Sequence, residues 1–240
     1  MPNILPMVVG AVVIGGGAIA LYNAVGGKND PMSHSQPVAE AAPAVVSPAS
    51  ASTVVEAPKP QATFSKVDIA SDDNILGKKD APVTIIEYAS MTCPHCARFH
   101  NSILPTIKSE FIDKGQVRLV YRDFPLDQMA LTASVIARCA GPDRYFPFVD
   151  ALFASQSKWA GDPNPMLALS RIARLGGMSQ AEFEGCLKKK EVAEKVLQQR
   201  LDADKTFGVR STPTIIINGD LYSGGLGVNE LRAVIKDKLK

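Results

Sequence analysis

Two cysteines three residues apart, Cys93 and Cys96, with Pro94 and His95 between them, are the side chains in this chain best suited to chemistry. Such a pair can cycle between dithiol and disulfide. Pro94 suits the first turn of a helix, where its missing N–H costs nothing, so Cys93 becomes the N-cap and Cys96 falls at the third helical position. An N-cap atom faces the free amides of the second and third positions and the positive end of the helix dipole. A sulfur there is favoured as the thiolate. Cys93 is therefore the candidate nucleophile, and Cys96, one turn deeper, the candidate resolving thiol. His95 brings a positive charge or a hydrogen-bond donor to the sulfur.

Two plainer readings use the same residues. Cys93 and Cys96 with His100 have the spacing of part of a zinc site, although neither Cys139 nor Cys186 supplies a second C-x-x-C. The pair could also be a purely structural disulfide. The redox reading is preferred because a strand precedes the motif and a helix follows it.

The positioning elements lie on either side. Val83 to Tyr88 reads as a buried strand, with Glu87 at its C-terminal end, beneath the two cysteines. A carboxyl there accepts or relays the proton of Cys96, since burial raises the pKa of such an acid. After the motif, Phe99, Ile103, Ile107 and Phe111 mark one apolar stripe of a helix that Pro105 should kink. Arg98 and His100 are assigned to the solvated side. Gln116 to Tyr121 is a second strand and completes a βαβ unit. From about 127 to 205 the pattern is helical. Leu131, Val135, Ile136 and Cys139 mark one helix, and Phe146, Val149, Leu152 and Phe153 another. A third ends at Gly176-Gly177, Ser179 and Glu182 form a capping box for a fourth, and a long helix runs from Glu191 to Phe207. Thr214 to Asn218 is strand-like, Asn218-Gly219 is a hairpin signal, and Val228 to Lys240 is a closing amphipathic helix. Pro213 opens the returning strand. Only X-Pro bonds are cheaply cis, and a cis bond here would turn the Thr212 backbone toward the sulfurs as a docking edge for an extended chain.

The runs Ala81 to Cys96 (A-P-V-T-I-I-E-Y-A-S-M-T-C-P-H-C) and Ser211 to Gly219 (S-T-P-T-I-I-I-N-G) resemble the DsbA-like thiol-disulfide oxidoreductases of the thioredoxin superfamily. The resemblance extends over residues 67 to 240. It implies an α/β thioredoxin-like fold with an α-helical insertion. It also implies that Cys93, Pro94, His95 and Cys96 form the redox site, with Glu87 as the acidic residue six positions before it and Pro213 as the cis-proline opposite. A depressed nucleophile pKa and an oxidising potential are likewise implied by the family and not read from spacing. Thr212 departs from the best-known oxidase of the family, which carries valine before the proline.

With 26 Lys and Arg against 24 Asp and Glu, a net charge of +2 argues against a nucleic-acid partner. Residues 1–27 hold an uncharged apolar run from Ile4 to Gly27, long enough to span a bilayer, and read as a membrane anchor or a signal peptide. An oxidising C-x-x-C places the rest of the chain outside the cytosol. Residues 28–66 are rich in Pro, Ala, Ser and Val and read as a disordered linker with a reach on the order of 35 Å. The catalytic domain is expected over 67–240.

Four cysteines in an oxidising compartment should pair, which leaves Cys139 and Cys186 as a structural disulfide. It would close a loop of about 48 residues and contribute ~4 kcal/mol in the chain-entropy model. Two buried free thiols are the alternative, and the family permits either. The expected function is an exported, membrane-tethered, periplasmic or otherwise extracytoplasmic oxidoreductase. It would pass its disulfide to reduced or unfolded exported proteins, be restored by a membrane-bound oxidising partner, and need no cofactor. The alternatives are an isomerase or reductase, or a peptide-binding chaperone with an inert C-x-x-C.

Overall fold

The computed structural model describes residues 55–240. The apolar segment at 1–27 and most of the linker assigned to 28–66 lie outside the described residues. No helix among the described residues is long and apolar enough to cross a membrane.

A six-stranded mixed sheet is built from β1 (Ala62–Thr63), β2 (Asn74–Leu76), β3 (Val83–Ala89), β4 (Val117–Asp123), β5 (Thr214–Ile217) and β6 (Asp220–Ser223) in the order β1-β6-β5-β3-β4-β2. The central β3 runs parallel to β4 and antiparallel to β5, with Glu87 opposite Tyr121 on one side and Ile215 on the other. Covered on both faces, β3 can be apolar at nearly every position. Val83 and Ile85 face one core while Ile86 and Tyr88 face another, following the two-residue period of a strand. By that alternation Glu87 points to the same side as Ile85, toward the helix that carries the cysteines.

The sheet begins earlier than the sequence indicated. Ala62 and Thr63 pair with Leu221 and Asp220, inside the stretch assigned to the linker. Proline-rich composition hid a two-residue strand whose register is set by the hairpin it joins. Residues 64–73 then cross one face of the sheet, where Phe64, Val67 and Ile69 pack on the core of Ile86, Tyr88, Val120 and Ile216.

The helix after the motif starts as α1 (Pro94–Arg98). It passes through a π-helical turn at Phe99–Ile103, α2 (Leu104–Ile107) and a second π turn at Lys108–Ile112. The kink expected at Pro105 takes this form. The Leu104 amide reaches back to the Phe99 carbonyl, five residues away, so widened turns accommodate the ring of Pro105 and its missing donor.

Between β4 and β5 lies the helical insertion: α3 (Gln128–Cys139), α4 (Pro142–Ala154), α5 (Gln156–Trp159), α6 (Pro165–Leu175), α7 (Gln180–Leu187) and α8 (Lys190–Phe207). Its core of Tyr145, Phe148, Leu152, Phe153 and Trp159 is continuous with Cys96, Met91 and Tyr121, so the insertion roofs the cysteines. The Ser179–Glu182 capping box is present at the start of α7. Cys139 and Cys186 are joined by a disulfide that ties α3 to α7, with Cα atoms 6.0 Å apart. Asn218 and Gly219, both at positive φ, turn β5 into β6, and α9 (Val228–Lys238) packs against the sheet through Leu231, Val234 and Ile235.

Candidate active site

Cys93 is the N-cap of α1, in extended backbone conformation, with Pro94 opening the helix. Both cysteines are free and buried, Cys93 at 5% exposure and Cys96 at 0%. The Cys93 pKa is lowered to about 5. The largest cause is the hydrogen bond from the Cys96 thiol, with the side chain of Thr212 and the amides of Cys96 and His95 adding to it against the cost of burial. Those amides face the sulfur without closing a full hydrogen bond. His95 acts through its backbone, while its ring is exposed.

The Thr212–Pro213 peptide is cis. As a thiol, Cys93 donates to the Thr212 carbonyl at 3.3 Å. The Thr212 hydroxyl is buried with no hydrogen-bond partner among the described residues, so it is free to stabilise the thiolate when that proton leaves. Cys96 is the opposite case. Burial first, then its hydrogen bond to Cys93 and the charge of Glu87, push its thiol far above the ordinary range. One sulfur is thus held as a nucleophile and the other as a thiol.

Beneath them Glu87 is fully buried, and its Oε2 lies 2.8 Å from His100 Nε2. This corrects the placement of His100 on the solvated side. The ring is stacked on Phe153 at 4.4 Å and set edge-on to Tyr121 at 5.6 Å. Cys96 and His100 are four residues apart on one helix and share its inner face, a signal available in the sequence. Arg98 is exposed as expected. His100 is committed to Glu87, and no group of three potential metal ligands converges among the described residues.

Two further residues were not found from sequence. Asp127 accepts from Thr92 at 2.5 Å and caps α3 through the Ala130 amide at 2.8 Å, so one carboxylate joins the active-site loop to the insertion. Gln156, on α5, donates to the carbonyls of Met91 and Cys93.

A strand, a C-x-x-C at the following helix start, and a cis-proline loop against the first sulfur define a thiol-disulfide site on a thioredoxin fold. The family profile described as Thioredoxin matches residues 70–237. A Rickettsia bellii protein, provisionally named a protein-disulfide oxidoreductase, is 32% identical over 196 residues, covering 80% of this chain and 74% of the relative. For a similarly named Rickettsia typhi protein the identity is 33% over 164 residues, 67% of this chain, and the chain spans 61% of that relative. Among solved structures, alpha-DsbA1 of Wolbachia pipientis aligns with TM-score 0.68 and 30% identity over 71% of this chain and 92% of that one. BdbD of Bacillus subtilis shares the fold at TM-score 0.66 and 24% identity, over 76% of this chain and 99% of its own. The chain belongs to the thioredoxin superfamily, among the DsbA-like protein-disulfide oxidoreductases.

Proposed function

We propose that this protein is an exported dithiol oxidase that passes its Cys93–Cys96 disulfide to reduced substrate proteins. The observation that carries the reading is the contrast between the two sulfurs, with Cys93 lowered to about 5 and Cys96 buried and raised. A substrate thiolate attacks the Cys93 sulfur. The Cys93–Cys96 bond breaks, Cys96 leaves with the electron pair and takes up a proton, and a mixed disulfide joins Cys93 to the substrate. A second substrate thiolate then attacks its partner sulfur and expels Cys93 as a thiolate. The substrate has lost two electrons and the enzyme has gained them.

A stabilised leaving thiolate favours the reduced enzyme, which makes its disulfide oxidising. Between a folded pKa of about 5 and pH 7, partial solvent screening leaves about 2 kcal/mol of bias, or roughly 40 mV. The groove lined by His95, Arg98, Phe99, Ile103, Pro213 and Leu226 passes the site and suits an extended segment of an unfolded substrate. Cys93, Pro94, His95, Cys96, Glu87, Thr212 and Pro213 are proposed as its working residues, and Cys139–Cys186 as a structural disulfide. Residues 1–27 are proposed as an anchor or export signal. They would place the domain in the periplasm or an equivalent extracytoplasmic space, within reach of a membrane-bound oxidising partner.

The test is the redox potential of the active-site pair against glutathione, together with oxidative refolding of a reduced protein. An oxidase gives a potential well above that of thioredoxin, which is about −270 mV, and restores the substrate's disulfides stoichiometrically. A potential at or below that value sinks the oxidase direction. Full function in Cys93→Ser would favour a chaperone.

A further inference from the structure

The proton that Cys96 must take up has no evident source in its own surroundings. Cys96 is at 0% exposure, and a thiolate left there unneutralised is costly. Glu87, beneath it, is equally buried and cannot draw a proton from water. Its only hydrogen bond is Oε2 to His100 Nε2 at 2.8 Å, while Oε1 has no partner among the described residues. His100 is buried too, but its other ring nitrogen, Nδ1, lies 3.7 Å from Asp150 Oδ1 on α4, and the Asp150 side chain is 63% exposed.

We propose that His100, its charge supported by Asp150, is the proton store of the buried Cys96 site and exchanges one proton with the sulfur through Glu87. This rests on the disulfide-exchange reading above and adds to it how the buried sulfur is neutralised. When the Cys93–Cys96 bond breaks, the electron pair goes to Cys96. The imidazolium gives its Nε2 proton to the Glu87 carboxylate, which hands a proton on to the sulfur, and the ring is left neutral with its remaining hydrogen on Nδ1, toward Asp150. The proton that Cys96 gains is the one the ring loses, and the sequence reverses on reoxidation, when Nε2 takes it back. His100 is a positioning residue that stores the proton and acts through Glu87.

Among the described residues, the aromatic neighbours of the ring do not supply the proton in its place. Tyr121 on β4 is edge-on, and Tyr145 on α4 stands against Tyr121 at 6.0 Å. Burial pushes both phenols well above their ordinary range, so they hold their protons through the neutral range. Phe99 and Phe153 are apolar. Burial works against a charge on His100, but the charge of Glu87 and the contacts with Asp150 outweigh it and push its pKa up to about 9, so the ring carries its proton at neutral pH.

The test compares wild type with His100→Gln, which keeps a donor toward Glu87 but cannot store a proton, and with Asp150→Asn on the solvated side. Oxidised protein is mixed with a cysteine-containing peptide from pH 5 to 10, and mixed-disulfide formation is followed by acid quench. The ratio of wild-type to variant rates cancels ionisation of the peptide thiol. For His100→Gln the ratio should be roughly 10 to 100 below pH 8, in line with general acid catalysis, and fall toward one as His100 loses its proton near 9. Asp150→Asn should give a smaller ratio whose midpoint lies at lower pH, because one stabilising carboxylate is gone. A ratio flat with pH, or within twofold of one throughout, overturns the proton store and assigns the pair to structure. If His100→Gln does not fold, Asp150→Asn decides alone, and a wild-type profile for it overturns the proposal. Wild type inert toward both the peptide and small dithiols would instead remove the disulfide-exchange reading itself.

Discussion

Gln156 and Cys93 stand 63 residues apart and are joined by a 2.9 Å hydrogen bond from the side-chain amide of the first to the main-chain carbonyl of the second. The same amide donates to the Met91 carbonyl at 2.8 Å. The helical insertion therefore grips the main chain on both sides of Thr92.

Replacing Gln156 with Leu removes both bonds and should lower stability by about 1–2 kcal/mol. It should also raise the pH at which Cys93 ionises, because the loop that aims its sulfur is loosened. Thiolate absorbance against pH, run beside urea unfolding, checks both. An unchanged titration would mean that the insertion covers the site without setting its geometry.

The thiolate itself makes a prediction about stability. Cys93 is a depressed acid, so its contribution to the reduced fold is complete above the unfolded value near 8.5 and disappears as pH falls through about 5. Oxidation removes the thiolate. In a variant with Cys139 and Cys186 both replaced by Ala, the reduced form should outlast the oxidised form in urea by about 2 kcal/mol at pH 7. The gap should narrow near pH 4, and an oxidised form that is the more stable at pH 7 contradicts the thiolate assignment.

For the buried Glu87–His100 pair, His100→Leu strands a carboxylate and should cost about 3–5 kcal/mol. Replacing both residues with Leu should cost less than the sum of the single changes, which a double-mutant cycle measures. The pH dependence has the sign opposite to that of Cys93. His100 is raised, so its stabilisation is complete below the unfolded value near 6.5 and is lost as pH rises through 9. The deficit of His100→Leu should accordingly shrink above that pH.

The Cys139–Cys186 disulfide should be the slower of the two to reduce, because Cys186 is 2% exposed and held among apolar side chains. Mild reduction followed by alkylation and mass spectrometry should label Cys93 before Cys139. Replacing Cys139 and Cys186 with Ala should cost about 2–4 kcal/mol in urea, and equal labelling of Cys139 and Cys93 would refute the ranking.

What could be read from the sequence was what local chemistry dictates. Pro94 after Cys93, the Ser179–Glu182 box, Asn218-Gly219 and Pro213 each constrain a backbone within a few residues, and each appears in the structure where its residue types place it. His100 was misplaced because its face depends on β3 and α4 packing over it, although its four-residue spacing from Cys96 pointed inward. Gln156 and Asp150 had no local signal, and Asp127 only that of a helix N-cap. Their partners are brought to them only when the insertion closes over the loop.

The stretch from Ala62 to Leu76 supplies both outermost strands of the sheet, one of two residues and the other of three. A protein that handles unfolded chains risks being joined by them wherever a long row of free main-chain groups is on offer. Here a single crossing segment caps both margins with strands too short to template another. On the proposed reading, an extended client would be denied this periphery and would find the short main-chain run at Thr212 beside the sulfur.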